Sequence, residues 1–152
     1  MARKWFAEAV PPHTAAAGVE HPLALAAAAT VNKVVESMAG LGFKSASEAI
    51  LQLAISANGH LNDTAPWSRM KQPGQEVDVG DDLYAVLEAT RIVGLLLAPL
   101  LPDLSDRILA QLGHALHEEA WLAQLSWGGL ESGSLLPQPT PVMQRLELEG
   151  EL

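Results

Sequence analysis

Apolar residues recur at three- and four-residue spacings along most of the chain, and Pro and Gly residues interrupt the pattern. This period is typical of amphipathic helices that bury one face. It predicts a short helix over 3–9 before Pro11-Pro12, and longer helices over 21–38, 45–65, 79–98 and 102–117. The pattern therefore predicts an all-α fold, a helical bundle in a single domain.

Local signals refine the ends of these helices. Ser45 and Glu48 form a capping-box pattern, which predicts that the third helix begins at Ser45. Asp81 and Asp82 are expected in the first turn of the fourth, where negative charge suits the helix dipole. The segment after 133 contains three Pro residues and then alternates. It predicts an extended C-terminal tail that packs on the bundle, and a disordered tail at 149–152.

Composition narrows the class of protein. The chain has 152 residues, 49% of them apolar, which is enough for one domain with a real core. Cysteine is absent, so disulfides and thiolate metal sites are excluded. Glu8 interrupts the apolar stretch that a signal peptide would need, and the longest apolar run, 92–101, is too short to span a membrane. We expect a cytoplasmic protein with no membrane partner.

The net charge of −9 is unevenly distributed. Residues 1–71 hold six Lys/Arg and five acids, whereas residues 72–152 hold three Lys/Arg and thirteen acids. A basic surface of the kind that binds DNA is therefore not expected. Any RNA contact must be local and must lie in the first half of the chain.

Candidate catalytic chemistry is sparse. His114 and His117 are three residues apart on a predicted helix, beside Glu118 and Glu119, and such a pair can hold a metal ion. We favour a solvated helix end, because no third inward ligand is evident, and we predict no metal site. The acids of the fourth helix are expected on its polar face, where paired catalytic carboxylates would lack a dry cleft.

Trp67 is the stronger candidate for function. It follows Pro66 and precedes Arg69 and Lys71. An exposed ring beside two cations suits a single-stranded nucleic acid, because the ring stacks on a base while the cations contact phosphates. The alternative is that Trp67 covers the end of the bundle and the cations only solubilise the loop. Composition alone favours that alternative.

Five segments, taken in order, resemble methionyl-tRNA synthetases. They extend the resemblance over nearly the whole chain, from Met1 to Glu147, with a bacterial or cyanobacterial character. The segments are Asn58–Lys71 with its Pro-Trp pair, Asp82–Arg91, Leu95–Pro102 with its "LL-x-P-x-x-P" break, Ser126–Gly128, and Pro141–Glu147.

The resemblance implies the helical anticodon-binding domain of a class I aminoacyl-tRNA synthetase. It implies that Trp67 stacks on a base of the CAU anticodon of methionine tRNA, with Pro66 shaping the corner. Asn58 matches an Asn of the family and is either structural or close to the RNA, and Arg69 and Lys71 complete the expected anticodon-binding set. The implied partners are the anticodon loop of methionine tRNA and the synthetase catalytic domain.

The chain also departs from the family. No segment resembles the motifs of the Rossmann catalytic domain, so we expect no catalytic residues or cofactor in this chain, and ATP and Mg²⁺ only in that domain. The bundle is expected to span 1–148, with its first helix truncated at Met1. Two alternatives remain: a non-catalytic helical interaction module that has lost autonomous tRNA binding, and a metal-dependent enzyme using His114 and His117.

Overall fold

The computed structural model describes residues 1–143, and helices dominate this part of the chain. The predicted all-α class is confirmed: within these residues the only β-type pairing is a single antiparallel bridge between Ala9 and Leu135. No described helix is long and apolar enough to cross a membrane. The α-helices are α1 (Ala2–Trp5), α2 (Pro22–Ala39), α3 (Phe43–Thr64), α4 (Pro66–Arg69), α5 (Glu76–Leu97), α6 (Pro102–Gln111) and α7 (Trp121–Gln124).

Helix α5 is the central element of the bundle. It packs against α2, α3 and α6, and it is buried on most of its sides. The apolar spacing predicts that α3 buries one face, and its residues Ala46, Ile50, Leu53 and Ala57 are all buried. The first three share a core with Ile92, Leu95 and Leu96 of α5 and Leu109 of α6, whereas Ala57 packs in a separate cluster with Ala85 and Ala89 of α5.

Two helix starts differ from the sequence prediction. Helix α3 begins at Phe43 after Gly42, and no side chain caps it. The predicted capping box at Ser45 is therefore wrong, and the Ser45 hydroxyl instead accepts a hydrogen bond from Ser37 at 3.3 Å. Helix α5 begins at Glu76, so Asp81 and Asp82 lie beyond its first turn and the dipole explanation does not apply to them.

Two other helices are shorter than predicted. Helix α1 ends at Trp5, because Ala7 and Glu8 adopt positive φ values that no α-helix continues through. Helix α6 ends at Gln111, and Gly113 has a φ of +64°. A Cβ at Gly113 would also approach the carbonyl oxygen of Leu135 to 3.0 Å, so the chain leaves the helix here to let the tail pass.

The predicted polar face of α5 is wrong. Asp81 is buried and accepts hydrogen bonds from the backbone N–H and the hydroxyl of Thr14, at 2.6 and 2.7 Å. Glu88 is fully buried, and its carboxylate pairs with Arg91 at 2.5 Å. The segments that bury these two acids come from distant parts of the chain, so the local helical period could not predict their burial.

Glu88 fastens a loop to the centre of the bundle. Its two carboxylate oxygens accept the backbone N–H groups of Gly128, Gly129 and Leu130 at 2.8, 2.8 and 3.1 Å, besides the guanidinium of Arg91. Charge-assisted bonds of this kind are about twice as strong as neutral ones. This carboxylate therefore has a structural role, and no catalytic function follows from it.

The tail runs across the bundle as expected. The N–H of Leu136 donates to the carbonyl of Glu8 at 2.8 Å, and Arg107 of α6 donates to the carbonyl of Val142 at 2.9 Å. Leu136 itself is buried. The motif around Arg145 and the expected disordered segment 149–152 lie outside the described residues.

Candidate functional site

A sharp corner separates α3 from α4 and carries Trp67. Ala65 adopts the left-handed conformation, with φ 42° and ψ 58°, and its carbonyl accepts the N–H groups of Ser68 and Arg69. Pro66 opens α4, where its missing N–H costs nothing and its fixed φ suits a helix. Pro66 is buried, so it anchors the corner and directs the next residue outward.

Trp67 differs from the other three tryptophans, all of which lie in the described part of the chain. Trp67 is 41% exposed, whereas Trp5, Trp121 and Trp127 are half-buried. Trp121 donates its indole N–H to the carbonyl of Leu95 at 2.7 Å, and Trp127 donates to that of Ala17 at 3.0 Å. Trp67 thus presents a large apolar surface to solvent beside the corner, where a partner can reach it.

The two cations expected near Trp67 have different environments. Arg69 closes α4 and is partly buried: it pairs with Asp82, donates its Nε–H to Gln75 at 3.1 Å, and lies 3.5 Å from Asp78. Lys71 follows α4 and is exposed. An RNA phosphate would therefore compete with carboxylates for Arg69, while Lys71 is accessible.

Asn58 lies two turns before the corner, on α3, and is exposed. It borders a shallow groove of about 200 Å³ between α3 and α5 that is otherwise mainly apolar. Trp67 is not part of the lining of this groove. The structure therefore places Asn58 at a groove between α3 and α5, whereas Trp67 lies outside this groove on α4. The groove is lined by Ala54, Ala57, Asn58, Leu61, Val86, Thr90 and Val93.

A polar cluster that was not predicted from the sequence connects the two helices of the corner, α3 and α4, to α5. His60 of α3 lies 3.0 Å from one oxygen of Asp82, through its Nε2, and Arg69 of α4 pairs with the other oxygen. His21 packs edge-on against His60, with ring centroids 4.9 Å apart. Four separate parts of the chain contribute to this cluster, so no spacing in the sequence could have revealed it.

One nitrogen from each of His21 and His60 and one oxygen of Asp82 lie within 4.8 Å of one another, a donor set that can hold a metal ion. However, Nδ1 of His21 accepts the N–H of Leu23 at 3.1 Å and so caps α2. A neutral ring that accepts at Nδ1 carries its proton at Nε2, so a metal there would break the cap. Burial, and then the neighbouring His60, lowers the pKa of His21, which favours this neutral form.

The histidine pair proposed as an alternative metal site is not on a helix. His114 and His117 follow the end of α6, and the backbone N–H of His117 donates to the side chain of Gln124 at 2.9 Å. Burial lowers the pKa of His114, with Arg91 as the next cause. The prediction that these residues share a helical face is therefore wrong, because the turn at Gly113 ends α6 first.

Comparison with known proteins gives a consistent result. Residues 10–149 match the family model described as the anticodon binding domain of methionyl tRNA ligase. A methionine--tRNA ligase of Synechocystis is 38% identical over 121 residues, covering 73% of this chain and 23% of that protein. The chloroplastic/mitochondrial methionine--tRNA ligase of Arabidopsis thaliana is 35% identical over 130 residues, covering 80% and 21%.

Solved structures agree with the sequence relatives. A crystal structure of Mycobacterium tuberculosis methionyl-tRNA synthetase bound by methionyl-adenylate superposes with a TM-score of 0.77 and 27% identity, covering 93% of this chain and 28% of that one. The chain spans about a quarter of the length of the curated relatives that it matches. It belongs to the family of anticodon-binding domains of methionyl-tRNA ligases.

Proposed function

We propose that this chain recognises the CAU anticodon of methionine tRNA, with Trp67 stacking on an anticodon base, for aminoacylation carried out by a catalytic domain. The observation that carries the proposal is the 41% exposure of Trp67 at a corner anchored by buried Pro66. Membership of the anticodon-binding family supports it. ATP and Mg²⁺ would serve that catalytic domain, and a cytoplasmic location remains our prediction.

Stacking must supply much of the affinity of this chain. A base on an aromatic ring is worth about 1–3 kcal/mol. The electrostatic attraction of RNA phosphates to this chain is weak, because the net charge is −9 and the exposed acids Glu76 and Asp78 lie at the start of α5 beside the corner. Lys71 is the accessible cation. We therefore expect weak binding that depends strongly on the ring of Trp67 and only slightly on salt, because few phosphates are neutralised.

The test is titration of a fluorescent methionine anticodon stem-loop at low salt, read by anisotropy. Trp67→Ala should weaken binding about 5- to 150-fold, the equivalent of one lost stack. Phe43→Ala is the matched control, because Phe43 is also an exposed aromatic residue, at the opposite end of α3. A stem-loop with the CAU triplet replaced should bind no better than the Trp67→Ala variant binds the cognate one.

Unchanged binding by Trp67→Ala, or binding that ignores the anticodon, would refute the proposal. It would favour the second candidate, a helical interaction module. An apolar groove of about 480 Å³ where α3, α5 and α6 meet is the specific observation in favour of that candidate, because Leu51 and Leu101 in its wall are exposed. Either outcome would leave the fold unchanged.

A further inference from the structure

The carboxylate of Asp82 joins the two helices that flank the Trp67 corner. One oxygen lies 3.0 Å from Nε2 of His60, in the last turns of α3, and the other pairs with the guanidinium of Arg69, the last residue of α4. The side chain of Asp82 is only 14% exposed, so water screens these contacts little. Asp82 itself is fixed on the long helix α5.

Helix α4 depends on contacts of this kind. It has four residues, far fewer than an isolated helix needs to be stable. Besides the contacts of Arg69 with Asp82, Gln75 and Asp78, α4 is attached by the buried ring of Pro66 at its start and the partial packing of Met70 just after its end. The attachments at Pro66 and Met70 fix where α4 lies. The direction of the Trp67 ring also depends on how α4 is rotated about its axis.

We propose that Asp82 is a positioning residue for Trp67: its bridge between His60 and Arg69 sets the orientation of α4 and so holds the indole ring ready to stack. The consequence for RNA rests on the proposed function. The consequence for the orientation of Trp67 does not, because it concerns the free protein. Gln75, which accepts from the Nε–H of Arg69 at 3.1 Å, supports the same orientation.

Electrostatics alone makes the opposite prediction for RNA binding. Asp82→Asn removes a negative charge near the corner and weakens the hold on Arg69, and both changes would favour an anionic ligand. If Asp82 acts through the position of Trp67, the same substitution must weaken binding. The sign of the effect therefore separates the two explanations.

The experiment uses the full chain labelled with 5-fluorotryptophan, with the ¹⁹F resonances assigned by single Trp→Phe variants. Asp82→Asn should shift and broaden the Trp67 resonance while leaving those of Trp121 and Trp127 in place. It should also weaken binding of the methionine anticodon stem-loop about tenfold, which is within the contribution of a single stack. Asp106→Asn is the control, because it makes the same charge change at an exposed position on α6.

His60→Gln provides a second variant, since it removes the α3 side of the bridge without replacing a carboxylate. It should move the Trp67 resonance in the same direction, and circular dichroism should show both variants folded. An unmoved Trp67 resonance in both variants, or tighter RNA binding by Asp82→Asn matching that of Asp106→Asn, would overturn the proposal. If the wild type ignores the anticodon but the resonance still shifts, the proposed function fails and the positioning role stands.

Discussion

Replacing Glu88 by glutamine should destabilise the bundle severely, although the two side chains have nearly the same volume. The carboxylate of Glu88 accepts both the guanidinium of Arg91 and the N–H groups of three consecutive loop residues. Glutamine retains one acceptor oxygen and places an NH₂ donor where the other oxygen was. Two donors then face each other in a fully buried site, and Arg91 loses its counter-charge.

The expected cost is about 3–5 kcal/mol, the range for removing one partner of a buried ion pair. Domains of this kind have a total stability of about 5–15 kcal/mol, so the loss is a large fraction of it. At this chain length it corresponds to a fall of roughly 10–15 °C in Tm. Part of the cost comes from the loop, whose backbone N–H groups lose a charged acceptor.

Urea unfolding followed by tryptophan fluorescence measures the change in the free energy of unfolding. Trp127 is a suitable probe, because it lies in the loop that Glu88 holds. Glu48→Gln is the matched control: it removes a carboxylate that lies 3.8 Å from Lys44 on the exposed surface of α3. An exposed pair of this kind contributes at most about 1 kcal/mol. If the two variants unfold at the same urea concentration, the assignment of Glu88 as the central structural carboxylate is wrong.

Three further predictions concern Gly129, His21 and Tyr84. Gly129→Ala should destabilise by about 1–3 kcal/mol in urea unfolding, because a Cβ there would overlap the Arg91 guanidinium, whereas Gly59→Ala, in open space within α3 and without a positive φ, should not destabilise. Burial lowers the pKa of His21, so the free energy of unfolding should fall as the pH drops below about 6.5, and His21→Asn, which retains a capping acceptor, should reduce that slope. Burial, and then Glu88, raises the pKa of Tyr84 to about 12, so the single tyrosine should ionise near that pH when folded and near 10.0 in urea, and stability should fall above pH 10.0.

The spacing of apolar residues was sufficient to predict the four longest helices, but not the short helices α4 and α7. Proline and glycine breaks located the long helices to within a few residues, because these residues act on the local backbone wherever they occur. The boundaries that failed depended on distant segments. Helix α6 ends early, just before Gly113, where the backbone of Leu135, 22 residues further along the chain, passes close by.

The candidate site was only partly predictable. Trp67 and Pro66 were chosen as site residues because a proline ends the predicted third helix and because the segment resembles a Pro-Trp pair of the family. The structure adds that Pro66 is buried and Trp67 is exposed. The ion pairs of Arg69 could not be predicted, because Asp82 is thirteen residues away across a turn. The acids of the fourth helix were expected on its polar face, but Glu88 is buried with Arg91 because the loop over 124–130 covers both side chains.

Backbone preferences and the spacing of apolar residues act over a few neighbouring residues. The sequence by itself therefore determined the long helices, the bundle and the position of the Pro-Trp corner. Exposure is different, because a side chain is buried only when another segment covers it. Trp121 and Trp127 reach carbonyl groups on neighbouring elements, whereas Trp67 remains 41% exposed. Only the tertiary structure decided which tryptophan faces solvent and which acids do not.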